Sequence, residues 1–191
     1  LDAKFGDRKD DVSAAWLLGR IKFRGERDLR RGEILGYFDG GFAVLIDALV
    51  DAVGRENVVT GARAADLATG SEGVESVTVE TASGTATHPT EGVVVATMPN
   101  VLESLTGYAC DIDFQGAVCA VVTMDESLSE TYWLNVAHDA PFGALIEHTN
   151  FVSPERYGGD HLLYVASYVQ DPSEAVWQMD DAELEAAWLH H

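Results

Sequence analysis

The spacing of apolar residues changes period along the chain, from helical to alternating and back, and each change marks an element. From Val12 to about Arg24, Ala15, Trp16, Gly19 and Phe23 fall on one face of a predicted helix that Asp10 or Asp11 can cap. Arg20, Arg24, Arg27 and Arg31 recur at three- and four-residue steps, forming a basic stripe if the helix runs on through Gly25. The strongest helical pattern follows Gly40-Gly41. There Phe42, Leu45, Ile46, Leu49, Val50 and Val53 share a face, Asp47 and Asp51 take the wet one, and Gly54 is placed to end the helix. From Val58 the period is two. Val58–Thr60, Ala64–Ala68, Val74–Thr81 and Thr85–His88 read as short strands, with Ser83-Gly84 as a hairpin turn. Val93–Thr97 is a continuous apolar run stopped by Pro99, the pattern of a strand covered on both faces. A short helix near Val101–Leu105 precedes four strands near Ala117–Met124, Tyr132–Ala137, Ala144–His148 and Leu162–Val169, spaced as in an antiparallel sheet. Asp180 or Asp181 then starts a last helix carrying Leu184 and Trp188. The predicted class is α+β: an antiparallel or mixed sheet with packed helices, plus a β-rich piece before it.

Composition narrows the functional classes. A chain of 191 residues with 47% hydrophobic and 9% aromatic residues buries enough apolar surface to fold, as one domain or two intimately packed lobes. Twelve Lys and Arg against 32 Asp and Glu give a net charge of −20, which repels phosphate backbones and anionic lipid surfaces alike. Nucleic acid is therefore not an expected partner. The acids are scattered, not gathered in a tail, as on surfaces adapted to high salt. Nine of the twelve bases nevertheless lie in residues 1–35, where they outnumber the acids by two. Such an island is either a seat for a small anion or cofactor phosphate, or a solvated helix face laced with ion pairs. Cys110 and Cys119 lack CxxC spacing and read as free thiols of a reducing cytoplasm. No apolar run approaches the roughly 20 residues of a membrane span. The chain starts at Leu1, so it is expected to begin inside a longer polypeptide or after processing.

Several catalytic signatures are missing: no GxSxG elbow, P-loop, HExxH or CxxC pair occurs. Glu147-His148 with His138 and His161 resembles a metal cluster only in sequence, because adjacent strand residues point to opposite faces; no metal site is expected. Gly36-Tyr37 and Gly40-Gly41 before a helix leave backbone amides open to a ligand or simply shape a loop. The stretch Tyr132-Trp133-Leu134-Asn135, Pro141-Phe142-Gly143, Ile146 to Asn150 and Tyr157-Gly158-Gly159 concentrates aromatic, amide and imidazole groups, as on a ligand-facing sheet or in a packed core.

These residues, in this order, resemble the FAD-dependent amine oxidase superfamily, in particular its protoporphyrinogen-oxidase-like and phytoene-desaturase-like oxidoreductases. The resemblance rests on Val12 to Leu17 with Gly19-Arg20, Leu35-Gly36-Tyr37 with Gly40-Gly41-Phe42, Val93–Thr97 before Pro99, and Tyr132 to Gly159. It implies a Rossmann-like FAD domain interwoven with a substrate domain, of which this chain would be the central part. Residues 1–56 would be the helical region of the substrate domain with the Gly-Gly helix, 57–99 a β-rich segment of the FAD domain, and 100–191 the antiparallel-sheet substrate domain. The family's GxGxxG turn is not in this chain, so FAD is implied for the complete protein and the isolated chain is expected to be inactive. The resemblance assigns Gly40, Gly41, Ala64, Ala96 and Pro99 to the cofactor. It assigns Arg20, Tyr132, Asn135, Glu147, His148 and Asn150 to a small-molecule substrate giving up a hydride. It also implies the rest of the FAD domain as a partner. No general base is named. The alternative is a non-catalytic ligand-binding or protein-interaction module that keeps the fold.

Overall fold

A computed structural model describes residues 2–25, 36–112, 114–137 and 140–190. It has helices and two antiparallel sheets, an α+β fold, divided into two compact units: residues 1–36 with 114–191, and residues 37–113. Arg27 and Arg31 of the basic stripe, Leu35, His138 and His191 lie outside the described residues.

In the first unit, α1 (Asp2–Phe5) leads through a 3-10 turn, Gly6–Asp11, into α2 (Ala14–Gly25). Asp10 and Asp11 belong to the 3-10 turn. Ser13 caps α2 in their place, its Oγ accepting from the Ala15 amide at 3.2 Å. The sheet runs in the order β4-β7-β6-β5, from β4 (Gly116–Met124), β5 (Trp133–Asn135), β6 (Ala144–Glu147) and β7 (His161–Val169). The four predicted strands are present, and β7 is central, with three residues buried (Leu163, Val165 and Val169). Strand alternation gives the sheet two faces. On one, Leu163 and Val165 pack with Val118, Ala120, Val122 and Leu145 against Trp188 and Leu184 of α6 (Asp181–Leu189). A capping box starts α6: the Asp180 side chain accepts from the Glu183 amide at 2.9 Å, and Glu183 Oε2 accepts from the Asp180 amide at 3.1 Å. The other face carries the cross-strand pairs Trp133–Ile146, Asn135–Ala144 and Ala144–Ala166, with Tyr164 and Tyr168 along β7.

The second unit contains α3 (Ala43–Val53), the meander β1 (Ala62–Gly70), β2 (Gly73–Thr81) and β3 (Gly84–Pro89), and α4 (Pro99–Thr106). Gly40 and Gly41 turn into α3 at φ +93° and +83°; a Cβ on Gly40 would meet Val44 Cγ2 at 2.9 Å. Three sequence expectations fail in this unit. Val58–Thr60 pairs with no described strand, and β1 starts at Ala62. The β2–β3 turn is Ala82-Ser83, since Gly84 already pairs with Thr81. Val93–Thr97 forms no strand: no described strand offers it a ladder, and Val94 is 92% exposed. The α3 stripe exists, but it is not buried; Phe42, Ile46, Leu49 and Val53 are all more than half exposed. No described residue of this unit is buried. A short turn of helix, α5 (Ala175–Gln178), belongs to the first unit and precedes α6.

Candidate functional site

A cleft of about 750 Å³ opens on the first unit, where α1 and α2 come over the sheet face that α6 does not cover. That volume suits a drug-sized molecule. Its walls are aromatic: Phe5, Trp16, Trp133 and Tyr168. Phe5 and Trp16 meet edge to face at 5.3 Å between centroids. Two cations stand among these rings. Lys4 Nζ lies 5.0 Å from the Tyr168 centroid and 5.7 Å from those of Phe5 and Trp16, and the Arg20 guanidinium lies 5.3 Å from Trp16. The main chain of Lys4 is tied to the sheet side, its carbonyl accepting from the side-chain amides of Gln115 and of Gln170, the latter at 3.0 Å. On β5, Trp133 Nε1 donates to Asn135 Oδ1 at 3.0 Å, which leaves the Asn135 amide nitrogen as a donor.

Of the six substrate residues taken from the sequence, the structure brings two to this cleft, Arg20 and Asn135. The other four lie elsewhere. Glu147 follows the opposite parity on β6 and so points to the face away from Asn135. It is 2% exposed, and its Oε2 accepts from the amides of Leu128 and Ser129 at 3.0 and 3.2 Å, while Oε1 faces His161 Nδ1 at 3.7 Å. Asn150 Nδ2 donates to the Ser129 carbonyl at 2.5 Å, holding the same loop from the other side. His148, 6% exposed, shares a hydrogen bond of 2.7 Å with the Tyr157 hydroxyl and packs edge-on against Tyr157 and Tyr164. Burial pushes its pKa below the usual 6.5, so the ring is neutral at pH 7. Tyr132 packs on Phe151 at 5.4 Å. These four form the loop-holding layer at the end of β6, not the cleft wall. Lys4, Phe5, Trp16, Trp133 and Tyr168 were not among the six. Lys4 and Trp16 carried a signal, as a base and an aromatic of the positively charged first 35 residues.

A second hollow of about 550 Å³ runs between β4 and α6, flanked by Asp181 and Glu185. The Cys119 thiol beside it is pushed up in pKa by burial, which makes it a poor nucleophile at neutral pH. Among the described residues no group of three His, Cys, Asp or Glu side chains could hold a metal ion.

The five cofactor residues all belong to the unit 37–113. Gly40 and Gly41 precede α3, Ala64 sits at a bulge of β1 where the register shifts before Asp66, Ala96 lies in the exposed run, and Pro99 is the first residue of α4. All are small or lie at element starts, so a flat ligand edge could approach their main chain. They do not make a complete site for FAD. A pyrophosphate needs a strand, a Gly-rich turn and a helix N-terminus, and the turn before α3 carries Asp39, whose negative charge repels a phosphate's.

The family model of flavin-containing amine oxidoreductases matches residues 8–191. None of the curated proteins compared matches the chain.

Proposed function

The chain belongs to the flavin-containing amine oxidoreductases, and from that premise we propose that its aromatic, cationic cleft holds a small-molecule substrate for oxidation. Membership carries flavin-dependent oxidoreductase function, with the cofactor implied for the full protein. When bound, the flavin supplies the hydride acceptor. One observation supports the cleft as the substrate's place: two of the nominated side chains, Arg20 and Asn135, both line it together with four aromatic rings. In this reading Arg20 and Asn135 orient the substrate and the rings give it an apolar bed.

Residues 57–99 are assigned to the FAD-binding side, with Gly40, Gly41, Ala64, Ala96 and Pro99 nearest the cofactor. The open apolar stripe of α3 is where the rest of the FAD domain would lie. Residues 1–56 and 100–191 are assigned to the substrate domain. Free Cys110 and Cys119 fit a reducing cytoplasm, and no helix among the described residues is long and apolar enough to cross a membrane. The acidic surface fits a salt-adapted source.

Anaerobic titration of the FAD-loaded full protein with small molecules tests the reading through bleaching of the flavin absorbance. A compound that bleaches the flavin should need at least tenfold higher concentration in Arg20→Ala and in Trp133→Ala at unchanged melting temperature. An unshifted titration in both variants places the substrate elsewhere. A full protein that takes up no flavin favours the non-catalytic binding module.

A further inference from the structure

The charged side chains that line the cleft, Lys4 and Arg20, are both cations, and this bears on the charge of what it takes. Among the described residues, Lys4 and Arg20 line it, no Asp or Glu does, and neither cation makes an ion pair. Asn135, whose Oδ1 accepts from Trp133, adds its Nδ2 as a donor. An ammonium group entering this space would find two like charges and no carboxylate. A carboxylate would find two cations held in place by ring faces, so little side-chain entropy is lost on binding. The walls themselves suit a flat apolar body, with Phe5, Trp16, Trp133 and Tyr168 presenting rings at several angles. We infer that the cleft takes an aromatic carboxylate and rejects the corresponding amine. The inference rests on the cleft being the substrate's place, and it names the class that place selects.

The protein's own field makes the preference diagnostic. At a net charge of −20 the surface as a whole attracts cations and repels anions. Non-specific binding therefore favours an amine, and a preference for the anion can come only from a local cationic site.

The probes are 1-pyrenebutyrate and 1-pyrenebutylamine, which share a ring and differ in the sign of the end group, titrated by pyrene fluorescence against the 191-residue chain. Pyrenebutyrate should bind at least tenfold tighter. Arg20→Gln and Lys4→Gln should each reduce its affinity about tenfold while strengthening pyrenebutylamine binding, and Trp16→Ala should weaken both probes. Melting curves of each variant separate lost contacts from lost folding. Equal binding of the two probes, both weakened by Trp16→Ala, overturns the charge selection and leaves the cleft reading standing. Tighter binding of the amine, or an anion preference that survives both Gln substitutions, also overturns the selection. Binding of neither probe, or binding unaffected by Trp16→Ala, overturns the selection together with the cleft reading.

Discussion

Glu147 shows how a single side chain decides between a catalytic and a structural role. A buried carboxylate beside a histidine invites an acid–base reading, yet its Oε2 is spent on the amides of Leu128 and Ser129. Removing it takes the acceptor from both amides, and a hydrogen bond to a charged group contributes about 1.5–3 kcal/mol. Glu147→Ala should therefore lose about 3 kcal/mol in urea denaturation, and Glu147→Gln, which keeps an acceptor, about 1 kcal/mol. Equal stability of Glu147→Ala and wild type would return the residue to the substrate-binding candidates. His148 makes a complementary prediction in pH. Burial lowers its pKa from 6.5, so the unfolded chain binds the proton more readily than the folded one. The corresponding stability is fully present above pH 7 and lost as pH falls through 6.5. His148→Gln should flatten the melting-temperature profile between pH 7 and 5 relative to wild type. A profile equally steep in both would assign the acid sensitivity to other groups.

Among elements, the central strand of the larger sheet carries the stability. Val165 of β7 is 3% exposed and touches the Trp188 cluster, whereas Val121 of β4 is 58% exposed on the other face. Val165→Ala should cost about 2 kcal/mol by loss of transfer energy and the cavity it leaves, while Val121→Ala should change stability by less than about 0.5 kcal/mol. Comparable losses at both sites would mean that the Val121 face is also covered. The same strands show what was readable in advance. Alternation at Gly116–Met124 and His161–Val169, and the Asp180 cap with Glu183 three residues on, are local signals, and local signals survive into the fold. Val93–Thr97 failed because an apolar run specifies burial without specifying a partner strand, and its ladder is not supplied by any described residue. Two of the six nominated substrate residues line the proposed cleft, for a related reason. Arg20 and Asn135 line one cleft, while Glu147, which shares the parity of Leu145 and not of Ala144, was carried to the other face by register alone. Sequence proximity within Tyr132–Asn150 concealed that division.

For the whole molecule, charge sets two opposing responses to salt. Exposed pairs such as Arg55 with Asp47 and Asp51, at 3.3 and 2.6 Å, and Arg63 with Glu80 weaken as ions screen them, but each contributes only about 0.2–1 kcal/mol. Repulsion among the acids acts across the entire surface, because 25 of the 32 lie beyond residue 35 against three bases there. At 1 M salt the screening length falls to about 3 Å, shorter than most acid–acid separations but close to the length of those ion pairs. Repulsion is thus removed more completely than attraction, and the melting temperature should rise steadily between 0.1 and 2 M KCl. Chloride and sulfate salts at equal ionic strength separate screening from salting-out, since sulfate also strengthens apolar burial. A rise seen with sulfate alone would trace the stabilisation to apolar surface buried on folding, such as the Leu163, Val165 and Trp188 cluster, and a fall in both would show that the ion pairs outweigh the repulsion.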